Sequence, residues 1–130
     1  MNVCDASTFF ESVKIGQAQR LYGQCTSALV VYELGNVVWK NVILGKMYDD
    51  KEASRLLSCY EVTLEEMRVV HNDLSDIYSM AAKCHVSFYD AAYVCLAADL
   101  NVPLVTLDKK LKQKASSVVK ILSFDQFISQ

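Results

Sequence analysis

The stretch SFYDAAYVCLAADLNVPLVTLD, residues 87–108, decides the fold. Ser87, followed three residues later by Asp90, has the S-x-x-D form of a capping box, a helix start. Behind it, Ala91 to Ala98 is apolar on every side, and such a helix belongs deep inside a domain. Asn101 ends the helix and Pro103 prevents its continuation. Val102 to Leu107 is then a short apolar, β-branched run, which suits a strand buried on both faces. Asp108 breaks that strand. A buried helix feeding a buried strand is the repeating unit of an α/β domain.

The flanking sequence repeats the pattern. Met1–Cys4 reads as a strand that stops at Asp5-Ala6-Ser7, and Phe9, Phe10, Val13, Ala18 and Leu21 follow at helical spacing with a break near Gly16. Thr26 and Ser27 are expected to cap a helix running to Leu44, where Gly45 stops it. Asp49–Ser58 predicts an amphipathic helix with Ala53, Leu56 and Leu57 inward, and Met67–Val70 a short strand. Asp73–Cys84 predicts a helix with Leu74, Ile77, Tyr78 and Ala81 on one face. A basic helix over Lys109–Lys114, a strand over Val118–Leu122 and a helical turn over Asp125–Ile128 complete the chain. Strands alternating with helices predict one α/β domain over residues 1–130 with a mostly parallel sheet. The polar stretch Gln17–Gln24 offers no second strand, so the sheet is expected to be shorter on that side.

Composition sets the bounds. With 52% hydrophobic and 22% charged residues, the chain is not of the disordered class. Its longest apolar run, Ala91–Ala98, falls far short of the roughly 20 residues a bilayer span needs. Met1–Phe10 carries Asp5 and no basic residue, unlike a secretory signal. The five cysteines lack metal-type spacing and read as buried thiols of a cytoplasmic protein. A net charge of −2 excludes a protein that coats nucleic acid by bulk charge.

Four acids stand out by their surroundings. Asp5 and Asp108 follow the predicted first and fourth strands, and open α/β sheets bind ligands beyond the carboxyl ends of strands. Each could instead simply cap a turn. Glu33 has Leu29, Val30, Asn36 and Val37 as helical neighbours, so it sits on an apolar stripe with no Lys or Arg one turn away. A carboxylate there requires a partner, and a cation is expected. Asp90 could be explained as the third residue of its capping box. Taken together, the four would repel one another unless a divalent cation neutralised them. Oxygen ligands of this kind select Mg²⁺ or Mn²⁺, which assist hydrolysis at phosphorus.

The ordered segments Val3-Cys4-Asp5-Ala6-Ser7, Tyr32-Glu33-Leu34-Gly35-Asn36, Tyr89-Asp90-Ala91-Ala92-Tyr93 and Leu104-Val105-Thr106-Leu107-Asp108 resemble the successive acidic motifs of the PIN domain, most closely the VapC-type toxin ribonucleases. The likeness runs from Val3 to Leu111. It implies a three-layer α/β/α fold and one or two Mg²⁺ or Mn²⁺ ions held by Asp5, Glu33, Asp90 and Asp108. It also implies endonucleolytic hydrolysis of single-stranded RNA, a VapB-type antitoxin partner and a homodimer. Ser7 and Thr106 could orient these acids or remain ordinary turn and strand residues. Lys109 and Lys110 could contact RNA phosphates, or belong to a solvated basic face with Lys112 and Lys114. Phe9–Phe10 or Trp39 could supply a dimer contact, and Trp39 could equally be core. Cys84 and His85, being adjacent, point apart and make neither a nucleophile–base pair nor a zinc site.

Two rival readings accompany this one. A catalytically inactive PIN-like module would use the same acids to bind a protein partner or RNA. A phosphatase or phospho-receiver would need a second acid beside Asp5, which Asp5-Ala6-Ser7 lacks. Setting the four acids aside leaves 11 acids against 13 Lys and Arg, so the remainder of the chain is basic.

Overall fold

The computed structural model describes residues 1–130. Five strands form one parallel sheet: β1 (Val3–Cys4), β2 (Cys25–Ser27), β3 (Arg68–Val70), β4 (Leu104–Val105) and β5 (Ile121–Leu122), in the order β3-β2-β1-β4-β5. The helices are α1 (Ala6–Lys14), α2 (Val30–Trp39), α3 (Asp50–Glu65), α4 (Leu74–Cys84), α5 (Phe88–Leu100), α6 (Lys109–Ala115) and α7 (Phe124–Ile128), with a 3₁₀ turn over Ala18–Leu21. No helix is long and apolar enough to cross a membrane.

Strand alternation divides the core into two layers. Val3 and Leu104 face a cluster with Tyr93, Val94, Leu96 and Ala97 of α5 and Leu111 of α6. Their neighbours Cys4 and Val105 face Phe9 of α1, Val30, Leu34 and Val38 of α2, Tyr60 of α3 and Phe127 of α7. The result is the three-layer α/β/α arrangement. Helix α5 is buried from Ala91 through Ala97, as its all-round apolar sequence requires. Each fully buried Leu or Val here contributes about 1.5–3 kcal/mol, so α5 anchors one layer.

The sheet is wider than expected, because Cys25-Thr26-Ser27 is a strand and not a helix cap. It pairs on both sides, with β1 and β3. All three residues are buried, and their polarity is satisfied locally: Thr26 Oγ1 donates to the Cys4 carbonyl at 2.8 Å and Ser27 Oγ accepts from the Leu29 amide at 3.2 Å. A three-residue strand shows no periodicity, so pairing alone makes it one. The following helix begins at Val30 and changes at Lys40–Leu44 to a π-helical turn. There the Asn41 side-chain amide donates to the Val37 carbonyl at 2.9 Å, and Gly45 N–H reaches Lys40.

Other differences concern faces. Helix α3 runs on to Glu65, and Leu57 points outward while Ala53 and Leu56 pack inward. On α4, Ile77 is buried, but Leu74 and Tyr78 are about 70% exposed. Phe9 is fully buried in the core, so it is not a dimer contact, whereas Trp39 is half exposed and not core. Cys4, Cys25, Cys84 and Cys95 are buried free thiols and Cys59 is partly so.

Candidate active site

Beyond β1 the chain turns into α1 on one layer; beyond β4 it turns into α6 on the other. A crevice opens between these diverging turns at the carboxyl edge of the sheet, where such folds bind ligands. Asp5 and Asp108 are the N-cap residues of α1 and α6. Capping is therefore true of both, yet it does not exhaust either carboxylate.

Asp5 is almost fully buried. Its Oδ1 accepts from Ser7 Oγ at 2.7 Å, from the Thr8 amide at 2.9 Å and from Thr8 Oγ1 at 3.0 Å. Its Oδ2 accepts from Thr106 Oγ1 at 2.5 Å. Burial drives its pKa above the usual carboxylate value, and these four bonds only partly offset that. Both hydroxyls also accept bonds from the β4–α6 turn. Ser7 Oγ accepts from the Leu107 amide and Thr106 Oγ1 from the Asp108 amide, both at 3.1 Å. Two hydroxyls thus tie the β1–α1 turn to the β4–α6 turn, with Asp5 at the knot.

Glu33, on α2, is half-buried, and the partner it finds is not a cation. Tyr93 on α5 donates its phenol hydroxyl to Glu33 Oε1 at 2.5 Å. Burial raises the Glu33 pKa first, Tyr93 lowers it, and the charges of Asp5 and Asp90 raise it again. Tyr93 itself is buried, and burial together with Glu33 keeps its hydroxyl protonated.

Asp90 lies in the first turn of α5, where the Ser87 hydroxyl accepts from its backbone amide at 3.1 Å. The return bond of a capping box, from the Ser87 amide to the Asp90 carboxylate, is not formed; only α7 has a complete box, made by Ser123 and Gln126. The Asp90 carboxylate instead faces the crevice. Burial raises its pKa, the charges of Asp108 and Asp5 raise it further, and Ser87 and Lys114 lower it. Asp108 is exposed, and its Oδ1 accepts from the Lys110 and Leu111 amides at 2.9 and 3.1 Å.

The structure thus links the four predicted acids, from the ends of β1 and β4 and from α2 and α5: Glu33 feels the charges of Asp5 and Asp90, and Asp90 those of Asp108 and Asp5. As the side chains stand, no three of them close to coordination distance about one point. The donors nevertheless suit a hard divalent cation. They are all carboxylate oxygens, their charges oppose one another, and no Lys or Arg acts on Asp5 or Glu33. Mg²⁺ commonly takes one or two carboxylates and keeps several waters, so it needs no closed protein cage.

Lys109 and Lys110 are exposed at the start of α6. Lys109 and Lys112 border a cleft of about 450 Å³ with Thr106, Asp108 and Ser123. Lys114 donates to the His85 carbonyl at 3.1 Å, from where its charge still acts on Asp90. His85 adopts a left-handed conformation at the end of α4, next to buried Cys84, and lies outside the crevice group. Two contributors lay outside the sequence expectation. Thr8 carried no signal beyond proximity to Asp5. Tyr93 carried one, since it stands one helical turn beyond Asp90.

The comparisons agree with this architecture. The family model described as PIN domain matches residues 6–116. Among curated proteins of Pyrobaculum aerophilum, ribonuclease VapC3 is 34% identical over 108 residues, covering 81% of this chain and 79% of the relative. Exonuclease VapC9 is 32% identical over 94 residues, covering 72% and 68%. A crystal structure from the same organism superposes with a TM-score of 0.80 at 22% identity, covering 99% of this chain and 97% of the other. The VapBC-1 structure from nontypeable Haemophilus influenzae gives a TM-score of 0.65 at 14% identity, covering 95% and 98%.

Proposed function

The chain belongs to the PIN domain family, and on that premise we propose that it is a metal-dependent endoribonuclease acting on single-stranded RNA. The observation that carries this reading is the crevice itself. Four carboxylates from separate elements converge there: Asp5 and Asp90 raise the Glu33 pKa, Asp108 and Asp5 raise that of Asp90, and no cation of the chain acts on Asp5 or Glu33.

In this reading Asp5, Asp90 and Asp108 hold one or two Mg²⁺ or Mn²⁺ ions, with Glu33 as a further ligand or as the group orienting the attacking water. When bound, such an ion lowers the pKa of a water and stabilises charge on the phosphoryl oxygen. The chain's own residues prepare the site. Ser7, Thr8 and Thr106 lock Asp5, so its carboxylate keeps one orientation. Tyr93 holds Glu33 and keeps it from swinging into solvent. Lys109 and Lys110 draw RNA phosphates towards the crevice. Cleavage leaves a 5′-phosphate and a 3′-hydroxyl.

The partner and setting follow the relatives. One structural neighbour is named VapBC-1, and a VapB-type antitoxin covering the crevice is the partner this reading assigns. We place the chain in the cytoplasm, as a homodimer whose contact includes half-exposed Trp39.

Incubating the purified chain with a circular single-stranded RNA, with and without Mn²⁺, tests the activity. Cleavage of the circle only with the ion supports the endonuclease. Degradation of linear RNA alone would make it an exonuclease. Intact RNA in both, with tight binding to a basic partner unaffected by EDTA, would favour the non-catalytic module.

A further inference from the structure

A second cleft adjoins the crevice on the side away from Lys109. Its walls are α1 and α2, its volume is about 470 Å³, and Glu33 and Ser7 stand where it meets the acids. That size is within the range of small-ligand pockets. Ala6, Phe10 and Val37 line it with apolar surface, and Asn36 and Lys40 supply its polar groups.

The spacing along α2 makes this a track. Glu33, Asn36 or Val37, and Lys40 recur at three, four and seven residues, which places them on one helix face. At 1.5 Å per residue, Lys40 lies roughly 10 Å along the helix from Glu33. Asn36 and Lys40 are exposed, and neither side chain bonds within the chain. Asparagine is a poor helix former, and the exposed Asn36 amide between Glu33 and Lys40 is free to meet a ligand. An aromatic and aliphatic surface, an amide with donor and acceptor, and a cation are what a splayed single-stranded nucleotide needs: stacking, edge reading and phosphate contact.

We propose that the α1–α2 cleft is a nucleotide subsite, with the base packed against Phe10 and Val37, its edge read by Asn36 and its phosphate held by Lys40. The RNA strand then crosses the acids between two cationic banks, Lys40 on α2 and Lys109 and Lys112 on α6. Ser7 stands at the junction, bonded to Asp5 and to the Leu107 amide. The inference rests on the ribonuclease reading and names the feature that selects the sequence at one position beside the cut.

The test uses the Asp5→Asn chain, which is expected to hold RNA without cutting it, in metal-free buffer. Fluorescent single-stranded RNA oligomers varied at one position at a time are titrated at several salt concentrations. Lys40→Ala in that background is expected to weaken binding about 3- to 10-fold and to reduce the salt slope by about 0.7, one phosphate on a single strand. Asn36→Ala is expected to leave the salt slope unchanged and to flatten the base preference at one position. Both sites are exposed, and circular dichroism checks that each variant folds. If both variants bind as the Asp5→Asn chain does, at every salt and every base, the subsite is wrong while the ribonuclease reading stands. If the Asp5→Asn chain binds no RNA and the unaltered chain cuts none, both readings fall together.

Discussion

The Tyr93 hydroxyl donates to Glu33 Oε1 across the carboxyl edge of the sheet, joining α5 in one layer to α2 in the other. It is a bridge between residues 60 apart in sequence. The bond stabilises the ionised form of Glu33 against burial and against the charges of Asp5 and Asp90. One phenol group therefore positions a crevice acid and favours its ionised form against burial.

Replacing it tests that role. Tyr93→Phe keeps the buried ring and removes the donor, so the Glu33 pKa moves further up. The acidic limb of the pH–rate profile is expected to shift to higher pH, with lower activity at neutral pH that partly recovers in alkali. The loss of one hydrogen bond to a charged acceptor costs about 1.5–3 kcal/mol in stability. A variant with reduced stability but an unmoved pH profile would assign Tyr93 to packing alone.

Asp5→Asn is expected to abolish RNA cleavage while preserving the fold. An amide oxygen still accepts from the Thr8 amide, so the α1 cap survives. Removing a charge that burial opposes is expected to raise the melting temperature of the ion-free protein by a few degrees, the usual size for a change of about 1 kcal/mol. Cleavage at the unaltered rate would remove Asp5 from the site.

The ion-free protein should lose stability as pH rises. Asp5 and Asp90 have folded pKa values above 3.8, and Glu33 above 4.5. In the window between the unfolded and the raised folded values, the native state holds more protons than the unfolded chain. The stability this confers is complete below the unfolded values and is lost as pH climbs through the folded ones. Mn²⁺ binding to the ionised acids restores it by mass action. Thermal melts from pH 4 to 8, with EDTA and then with Mn²⁺, should diverge progressively with pH; parallel curves would contradict an ion site among these acids.

Thr106→Val matches the side chain in shape but breaks the link between Asp5 and the Asp108 amide. Loss of such a supporting bond typically costs about 10- to 100-fold in metal affinity or activity. Thr106→Ser retains the hydroxyl and should recover most of both. Manganese titration by calorimetry separates the two, and equal affinity in the valine variant would make Thr106 a plain strand residue.

Much of this molecule was legible in the chain. The apolar run Ala91–Ala98 and the strand Leu104–Val105 established a buried helix and a buried strand, because burial on all sides leaves polar residues no place. Asp5 and Asp108 were readable because strand ends in parallel sheets carry functional turns. The strand Cys25–Ser27 was not, because three small, partly polar residues become a strand only through pairing on both sides. Leu74 and Tyr78 looked like core from their spacing, yet spacing marks a helix face without saying which face is covered.

By itself, then, the sequence determined an α/β domain with a mostly parallel sheet and the identity of four acids in apolar surroundings, since both follow from local patterning. Tertiary structure alone decided which groups those acids meet. A tyrosine and not a cation faces Glu33, Ser7 and Thr106 cross-link two turns about 100 residues apart, and Asp90 turns to the crevice instead of completing its cap. Each of these is a hydrogen bond or a charge contact between distant segments, and only the packing of α2 and α5 around the sheet edge brings those partners within reach.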